Sequence, residues 1–486
     1  MKKIVLALLG ALGIMLAVAL VRTARFTSRQ ILVPPAKEVA LERDKMAGRL
    51  SEAIQYQTVS DQAPTPAAAA EFTRFHAFLA KAFPLVHARL TKEIVGAASL
   101  LYTWGGQDKT LKPALLMGHM DVVPVDANTE KNWTYPPFSG RTADGYIWGR
   151  GTMDDKVNVL GILEAAEYLL ARGFNPRRAL YFAFGHDEEI GGRNGAFQIA
   201  ALLRRRNIEL EYILDEGGNI VDGIIPSTRV PVALIGIAEK GYVSLELTVE
   251  MPGGHASTPP DHTAIGVLSS AIAKLEASPF SARLSEPIRQ MIAFIGPEMP
   301  WPKQFVLANL WLFGPLLEQQ LAQSPLTNAL IRTTQAATVF HSGVKENVLP
   351  AHARAIINVR ILPGDTISGA IDHARRIIGR DQVKISPLAI RAEPSAISDP
   401  ESPSFERLHR TIKEVAPEVL VAPSLLVAAT DSHHYAPLSK HIFRFLPITI
   451  TSEDARRFHG IDERISVKDY ERCVRFFVQL MRNSDS

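Results

Sequence analysis

Three short apolar segments of this chain each run directly into acids or histidine, and that arrangement limits the fold more than any other feature. Residues 114–117 lead into Gly118-His119-Met120-Asp121, residues 179–184 into His186-Asp187-Glu188-Glu189, and residues 212–214 into Asp215-Glu216-Gly217-Gly218. Helical patterns of ten residues or more, at 159–171 and 196–205, separate them. Strands alternating with helices form a mostly parallel sheet covered by helices on both faces. Such sheets bind ligands at the carboxyl ends of their strands. The polar clusters of this sequence fall at those ends. The expected class is therefore α/β.

The pattern changes after Glu239. Residues 242–251 and 353–362 alternate apolar and polar residues, as half-exposed antiparallel strands do, with a helix at about 263–276 between them. We read 240–363 as an α+β domain inserted into the larger one, so that 39–239 and 364–486 form its two parts. Amphipathic helices are expected at 42–56, 66–83 and 467–482. The apolar run 305–321 reads either as a core helix or as an apolar wall for a greasy substrate. A length of 486 residues agrees with more than one domain.

At the N-terminus Lys2 and Lys3 precede an uncharged apolar run at 4–21, followed by Arg22 and Arg25. Eighteen residues suffice to cross a bilayer, while Ala17-Val18-Ala19 offers a signal-peptidase site. Residues 1–38 are thus a signal peptide or membrane anchor plus a proline-containing stalk outside the fold. Either reading exports the rest of the chain, as a secreted or membrane-anchored protein.

Charge and cysteine usage remove other classes. The net charge of +3 gives no reason to expect nucleic acid. The single cysteine, Cys473, allows neither a disulfide framework nor a thiolate metal site. Any metal must be held by histidine and carboxylate. His119 suits a metal, with Asp121 two residues on as acceptor for its other ring N–H. Asp154 follows the glycine-rich turn Gly149-Arg150-Gly151 and can offer one oxygen to each of two cations. The acids of His186–Glu189 repel one another at a strand mouth unless a cation offsets them. Acids at Asp215-Glu216 and a histidine at His459-Gly460 complete the set. Nitrogen and oxygen donors without thiolate suit zinc, with cobalt or manganese as substitutes.

The strings GHMDVVP, GRGTMDDK, DEE, LDEGG, GGHAS and HG, in this order from about residue 45 onward, resemble the two-zinc exopeptidases and aminoacylases. That family includes glutamate carboxypeptidase, succinyl-diaminopimelate desuccinylase and yeast carboxypeptidase S. GHDEE, LDEGG, NLWLF, PLTNALIRTT and HGIDERISV are similar to its branch that makes and hydrolyses N-fatty-acyl amino acids. The resemblance implies a zinc-binding domain with an inserted lid or dimerisation domain, two Zn²⁺ per subunit and a homodimer. It implies Asp154 as bridging ligand, and His119 with an acid of LDEGG on one zinc. Asp215, directly ending the strand, is the preferred acid, and Glu216 the alternative. Glu189 and His459 fall to the other zinc, Glu188 to the role of general base, and Asp121 to that of partner of His119. His255 is expected to reach a neighbouring subunit's site, and Asn347 and Arg360 to hold a substrate carboxylate. His433 and His434 lie nearby without an assigned role. The expected activity is hydrolysis, or reversible condensation, of the amide bond of small N-acyl amino acids with long acyl chains. A carboxypeptidase or dipeptidase is the competing reading, and an inactive membrane-tethered binding protein a third.

Overall fold

The computed structural model describes residues 2–63 and 65–485, so the domain limits placed at residues 1 and 486 lie outside it. The larger sheet has ten strands. Its centre is parallel, with Leu180–Gly185, Ala114–His119, Tyr212–Asp215 and Ile442–Arg444 side by side. Ser99–Trp104 and Thr91–Val95 extend one flank antiparallel. The other flank, built on Val232–Glu239, is mixed.

Alternation along these strands shows why both faces are covered. Leu116, Phe182, Phe184 and Leu214 point into one core, while Leu115, Met117, Tyr181, Ala183 and Ile213 point into another. The first core is closed by helices Lys156–Leu170 and Val467–Asn483, the second by Ala196–Arg205. Cys473 is fully buried between the first two helices, and a Cβ at Gly161 would lie 2.8 Å from its sulfur. Each leucine so buried stabilises the fold by roughly 1.5–3 kcal/mol.

The inserted unit carries a four-stranded antiparallel sheet in the order Thr334–Ser342, His352–Ile361, Gly241–Glu250, Val383–Ala392. Helices Ala264–Ala277 and Ile367–Ile378 pack on it. Its fourth strand lies beyond residue 363, where the sequence pattern ends the insert. Helices between residues 286 and 331 belong to a different packing unit. Leu284, Ile288, Ile292 and Ile331 pack with Ala238, Leu362 and Leu425, against the large sheet.

Two further expectations differ from the structure. The run 305–321 is not one helix: Trp301–Ala308 and Leu310–Leu321 are separated at Asn309, whose backbone (φ −118°, ψ 47°) is not helical. Residues 26–38 are not a stalk free of the fold. The Gln30 side chain donates to the Val421 carbonyl (2.9 Å) and accepts from the Val421 N–H (2.8 Å), and the Ala36 N–H donates to the Glu414 carbonyl (2.8 Å). Ahead of them, Lys2–Ala24 is a continuous helix of 23 residues, long and apolar enough to cross a membrane.

Candidate active site

Parallel register brings the polar clusters to one edge. His119 lies opposite Gly185, directly before His186, and Leu116 lies opposite Leu214, directly before Asp215. The chain between Trp148 and Lys156 then turns back across this edge and delivers Asp154.

The two oxygens of Asp154 face different histidines. His119 Nε2 lies 2.8 Å from Oδ1, and His459 Nε2 lies 3.1 Å from Oδ2. Glu216 Oε1 is 4.0 Å from His119 Nε2, and Glu189 Oε1 is 3.3 Å from His459 Nε2. Ligand atoms thus converge within 4.8 Å in His119–Asp154–Glu216 and in Asp154–Glu189–His459, two sets that share Asp154. A third set, His119–Glu188–Glu189, places Glu188 among the same atoms. The donor chemistry, imidazole and carboxylate without sulfur, fits divalent metal.

Asp215 does not join these sets. Its Oδ2 accepts from the Ser432 N–H (2.9 Å) and its Oδ1 from the Glu216 N–H (3.0 Å). Asp215 therefore holds the turn that carries His433, and Glu216 presents its carboxylate to the cluster. Asp121 sits fully buried beneath the site. His119 Nδ1 lies 3.0 Å from the Asp121 backbone carbonyl and 3.4 Å from its carboxylate, which accepts from the N–H groups of Glu188 (3.2 Å) and Glu189 (3.1 Å).

Burial and like charge set the protonation of the cluster. Burial, reinforced by Asp431, Glu189 and Asp154, pushes the Glu188 carboxyl well above the usual range. Burial, together with Asp154 and Asp155, does the same to Glu216. Burial also opposes ionisation of Asp154, but donation by His119 and His459 outweighs it and holds its pKa low. Hydrogen bonds to Asp154 and Glu189 raise His459 to about 10. A divalent cation held here would offset this crowding of negative charge.

Glu463 and Arg150, to which no motif assigned a role, tie the loops that carry Asp154 and His459 together. The Arg150 guanidinium donates to Glu463 Oε2 (2.6 Å) and to the carbonyls of His459 (3.0 Å) and Gly460 (3.2 Å). Glu463 Oε1 accepts from the N–H groups of Gly151 (2.9 Å), Met153 (2.8 Å) and Asp154 (3.3 Å). His459 itself is left-handed (φ 57°), and a Cβ on Gly460 would lie 2.3 Å from the Arg456 carbonyl oxygen. Only glycine fits after this histidine.

The cleft above the cluster has a volume of about 640 Å³. Arg360 stands in its wall, stacked 4.8 Å from the Tyr242 ring and without an anionic partner among the described residues. Met153, Ile190, Ile390, Leu426 and Phe458 make other parts of the wall apolar. His433 lines the cleft, whereas His434 Nε2 contacts the Gly191 carbonyl (3.1 Å). His255 and Asn347 do not line it. They share an exposed two-stranded ribbon, Gly254–His255 with Val348–Leu349, in which the Ala256 N–H donates to the Asn347 carbonyl (3.1 Å).

The model of peptidase family M20/M25/M40 matches residues 115–483. The chain belongs to this family. It is 45% identical over 484 residues to the probable carboxypeptidase S-like 2 of Dictyostelium discoideum, covering 98% of this chain and 92% of that one. It is 41% identical to the human N-fatty-acyl-amino acid synthase/hydrolase PM20D1, covering 92% and 89%. Carboxypeptidase S of Saccharomyces cerevisiae is 32% identical, with coverage of 91% and 84%. The fold is similar to that of the Sulfolobus solfataricus M20 metallo-carboxypeptidase Sso-CP2 (TM-score 0.68, 16% identity, 92% of this chain and all of that one). It is also similar to that of human carnosine dipeptidase 1 (TM-score 0.66, 16% identity, 91% and 96%). This M20 chain is accordingly a hydrolase of the metallopeptidase type that acts on amide bonds, with a cluster of acids and histidines able to hold metal.

Proposed function

We propose that this M20 chain hydrolyses the amide bond of N-acyl amino acids, with long acyl chains, at a two-zinc site. The observation that carries the reading is the pairing, in one cleft, of an Asp154 carboxylate shared by two ligand sets with the unpaired guanidinium of Arg360. His119, Asp154 and Glu216 would hold one zinc, and Asp154, Glu189 and His459 the other. Bound metal supplies Lewis acidity toward the attacking water and the amide carbonyl. Glu188 takes a proton from that water and returns it to the leaving nitrogen, so one carboxyl acts as base and then acid. Arg360 holds the carboxylate of the amino-acid half through two parallel hydrogen bonds. His255 is assigned to a neighbouring subunit's cleft in a homodimer, and Asn347 to the substrate carboxylate beside Arg360. The apolar helix Lys2–Ala24 directs the chain out of the cytoplasm.

The enzymes named for N-fatty-acyl amino acids and the carboxypeptidase S sequences both align with this chain over nine-tenths of its length, so the feature that favours a long acyl chain over a second amino acid is a space in the structure. A second cavity, of about 540 Å³, adjoins the cleft across Gln62, Ile190 and Ile390, and Ala68, Ala69, Phe72, Ile94 and Ala98 contribute an apolar lining. The peptidase alternative is favoured by the similarity to the carboxypeptidase S sequences. A hydrolysis panel of N-oleoyl-phenylalanine against N-blocked dipeptides tests the choice. Preference for the oleoyl amide supports the proposal, and preference for the peptides replaces it with a carboxypeptidase.

Arg360→Ala is expected to raise KM with little change in kcat. A hydrogen bond to a charged group contributes roughly 1.5–3 kcal/mol, or about 10- to 150-fold. Steady-state kinetics on the acid and on its carboxamide analogue provide the check, since the carboxamide has little to lose.

A further inference from the structure

We propose that helix Lys2–Ala24 is retained as a membrane anchor and that the helix pair Trp301–Ala308 and Leu310–Leu321 lies on the surface of the same bilayer. The anchor's last turn is built into the folded domain. Asn309 is fully buried, and its side-chain amide donates to the Ala19 carbonyl (3.1 Å), Thr23 Oγ1 (3.1 Å) and the Phe305 carbonyl (2.9 Å). Arg22 Nε donates to the Ala308 carbonyl (3.4 Å). Cleavage after Ala19 would remove the Ala19 carbonyl and the helix that holds Thr23 and Arg22 in place, and a buried amide that loses an acceptor is costly. The rest of the helix projects from the domain, with only 6% of its apolar window buried.

The helix pair is apolar on both sides. Leu307, Leu310 and Leu317 pack inward against the cluster around Ala238, Ile288 and Leu425. Trp301 (60% exposed), Trp311 (49%), Leu312 (39%) and Leu316 (62%) face outward. A helix with two apolar faces needs a second apolar surround. The point where the anchor leaves the bilayer is Asn309 itself, the junction of the pair, so the bilayer is the surround within reach. Tryptophan favours this depth, and the Trp311 N–H is already satisfied by Asn309 Oδ1 (3.0 Å), which leaves its exposed ring free to meet the acyl boundary. Arg22, Arg25 and Lys303, all exposed, supply charge complementary to anionic headgroups. The occupant is lipid, not a second protein.

The test reconstitutes the unmodified full chain into vesicles of phosphatidylcholine and phosphatidylglycerol with brominated acyl chains and reads tryptophan emission. Trp104, Trp133 and Trp148 are buried in the large domain, so bromine quenching reports on Trp301 and Trp311. The emission is expected to fall on bromination, and the quenchable part to disappear in Trp301→Phe/Trp311→Phe. Unquenched emission from vesicle-bound protein means that the face meets water or protein, and overturns the proposal. A mature N-terminus at residue 20 overturns it as well. Neither readout requires turnover, so the outcome is independent of the proposed substrate.

Discussion

Glu188→Ala is expected to lower kcat by about 10²–10⁴-fold, the range general acid–base catalysis supplies, while metal content stays at the wild-type level. The two neighbouring glutamates are placed differently. Glu189 reaches His459 at 3.3 Å and shares a ligand set with Asp154. Glu188 belongs to a set with His119 and Glu189, yet its carboxyl has no ion-pair partner among the described residues. Burial and the surrounding acids raise the proton affinity of its carboxyl, which makes it a stronger base toward the attacking water. The Asp121 carboxylate accepts from both backbone N–H groups of this turn, so a change at Glu188 leaves its neighbour in place. Metal analysis beside kinetics decides the matter. Glu189→Ala should lose metal, and if Glu188→Ala loses it instead, the two roles are exchanged.

Glu463→Ala is the second large effect, and it acts through the backbone that carries Asp154. The Arg150–Glu463 pair is almost wholly removed from water, at 3% and 0% exposure. Breaking such a pair by deleting one partner costs roughly 3–5 kcal/mol. Three N–H groups lose their acceptor at the same moment, and these losses overlap rather than add. A fall in unfolding free energy of about 3–5 kcal/mol is expected in denaturant titration. Metal content should fall with it, because the clamp places both Asp154 and the His459 loop. Glu463→Gln keeps an oxygen for the N–H groups and should lose less. Wild-type stability and metal content in Glu463→Ala would show that the clamp positions nothing.

Much of the fold was legible because its signals are local. The central strands are short apolar runs with alternate residues buried on opposite faces, and each ends where polar residues begin. The helices at 43–54 and 66–82 follow amphipathic patterns, and the second begins on the cap of Thr65 and a first-turn proline. Strand Val383–Ala392 was hidden for a physical reason. It is a largely exposed edge strand containing Pro387, and an edge tolerates a residue that a central ladder rejects. Leu420–Leu426, also at an edge, contains Pro423.

In the site, residue types were readable and their assignment was not always so. Asp215 and Glu216 are adjacent, so period-two alternation sends them to opposite sides of the strand end. Which side faces the cluster depends on the Ser432 N–H, 217 positions away. The Arg150–Glu463 clamp spans 313 positions. No local pattern encodes such pairings, although the adjacent acids Asp462 and Glu463, between His459 and the short strand Arg464–Ser466, were a visible hint. The break at Asn309 likewise depends on contacts with residues 19 and 23.

The central claim is that amide hydrolysis in this chain runs on two metal ions held around Asp154. Its most direct test is to strip the full-length protein with a chelator and titrate it with Zn²⁺ while following hydrolysis of N-oleoyl-phenylalanine. The account predicts no turnover in the stripped protein and full turnover at two equivalents per chain, with Asp154→Ala unable to recover at any zinc concentration. Undiminished hydrolysis by the stripped protein, or full recovery in Asp154→Ala, would contradict it.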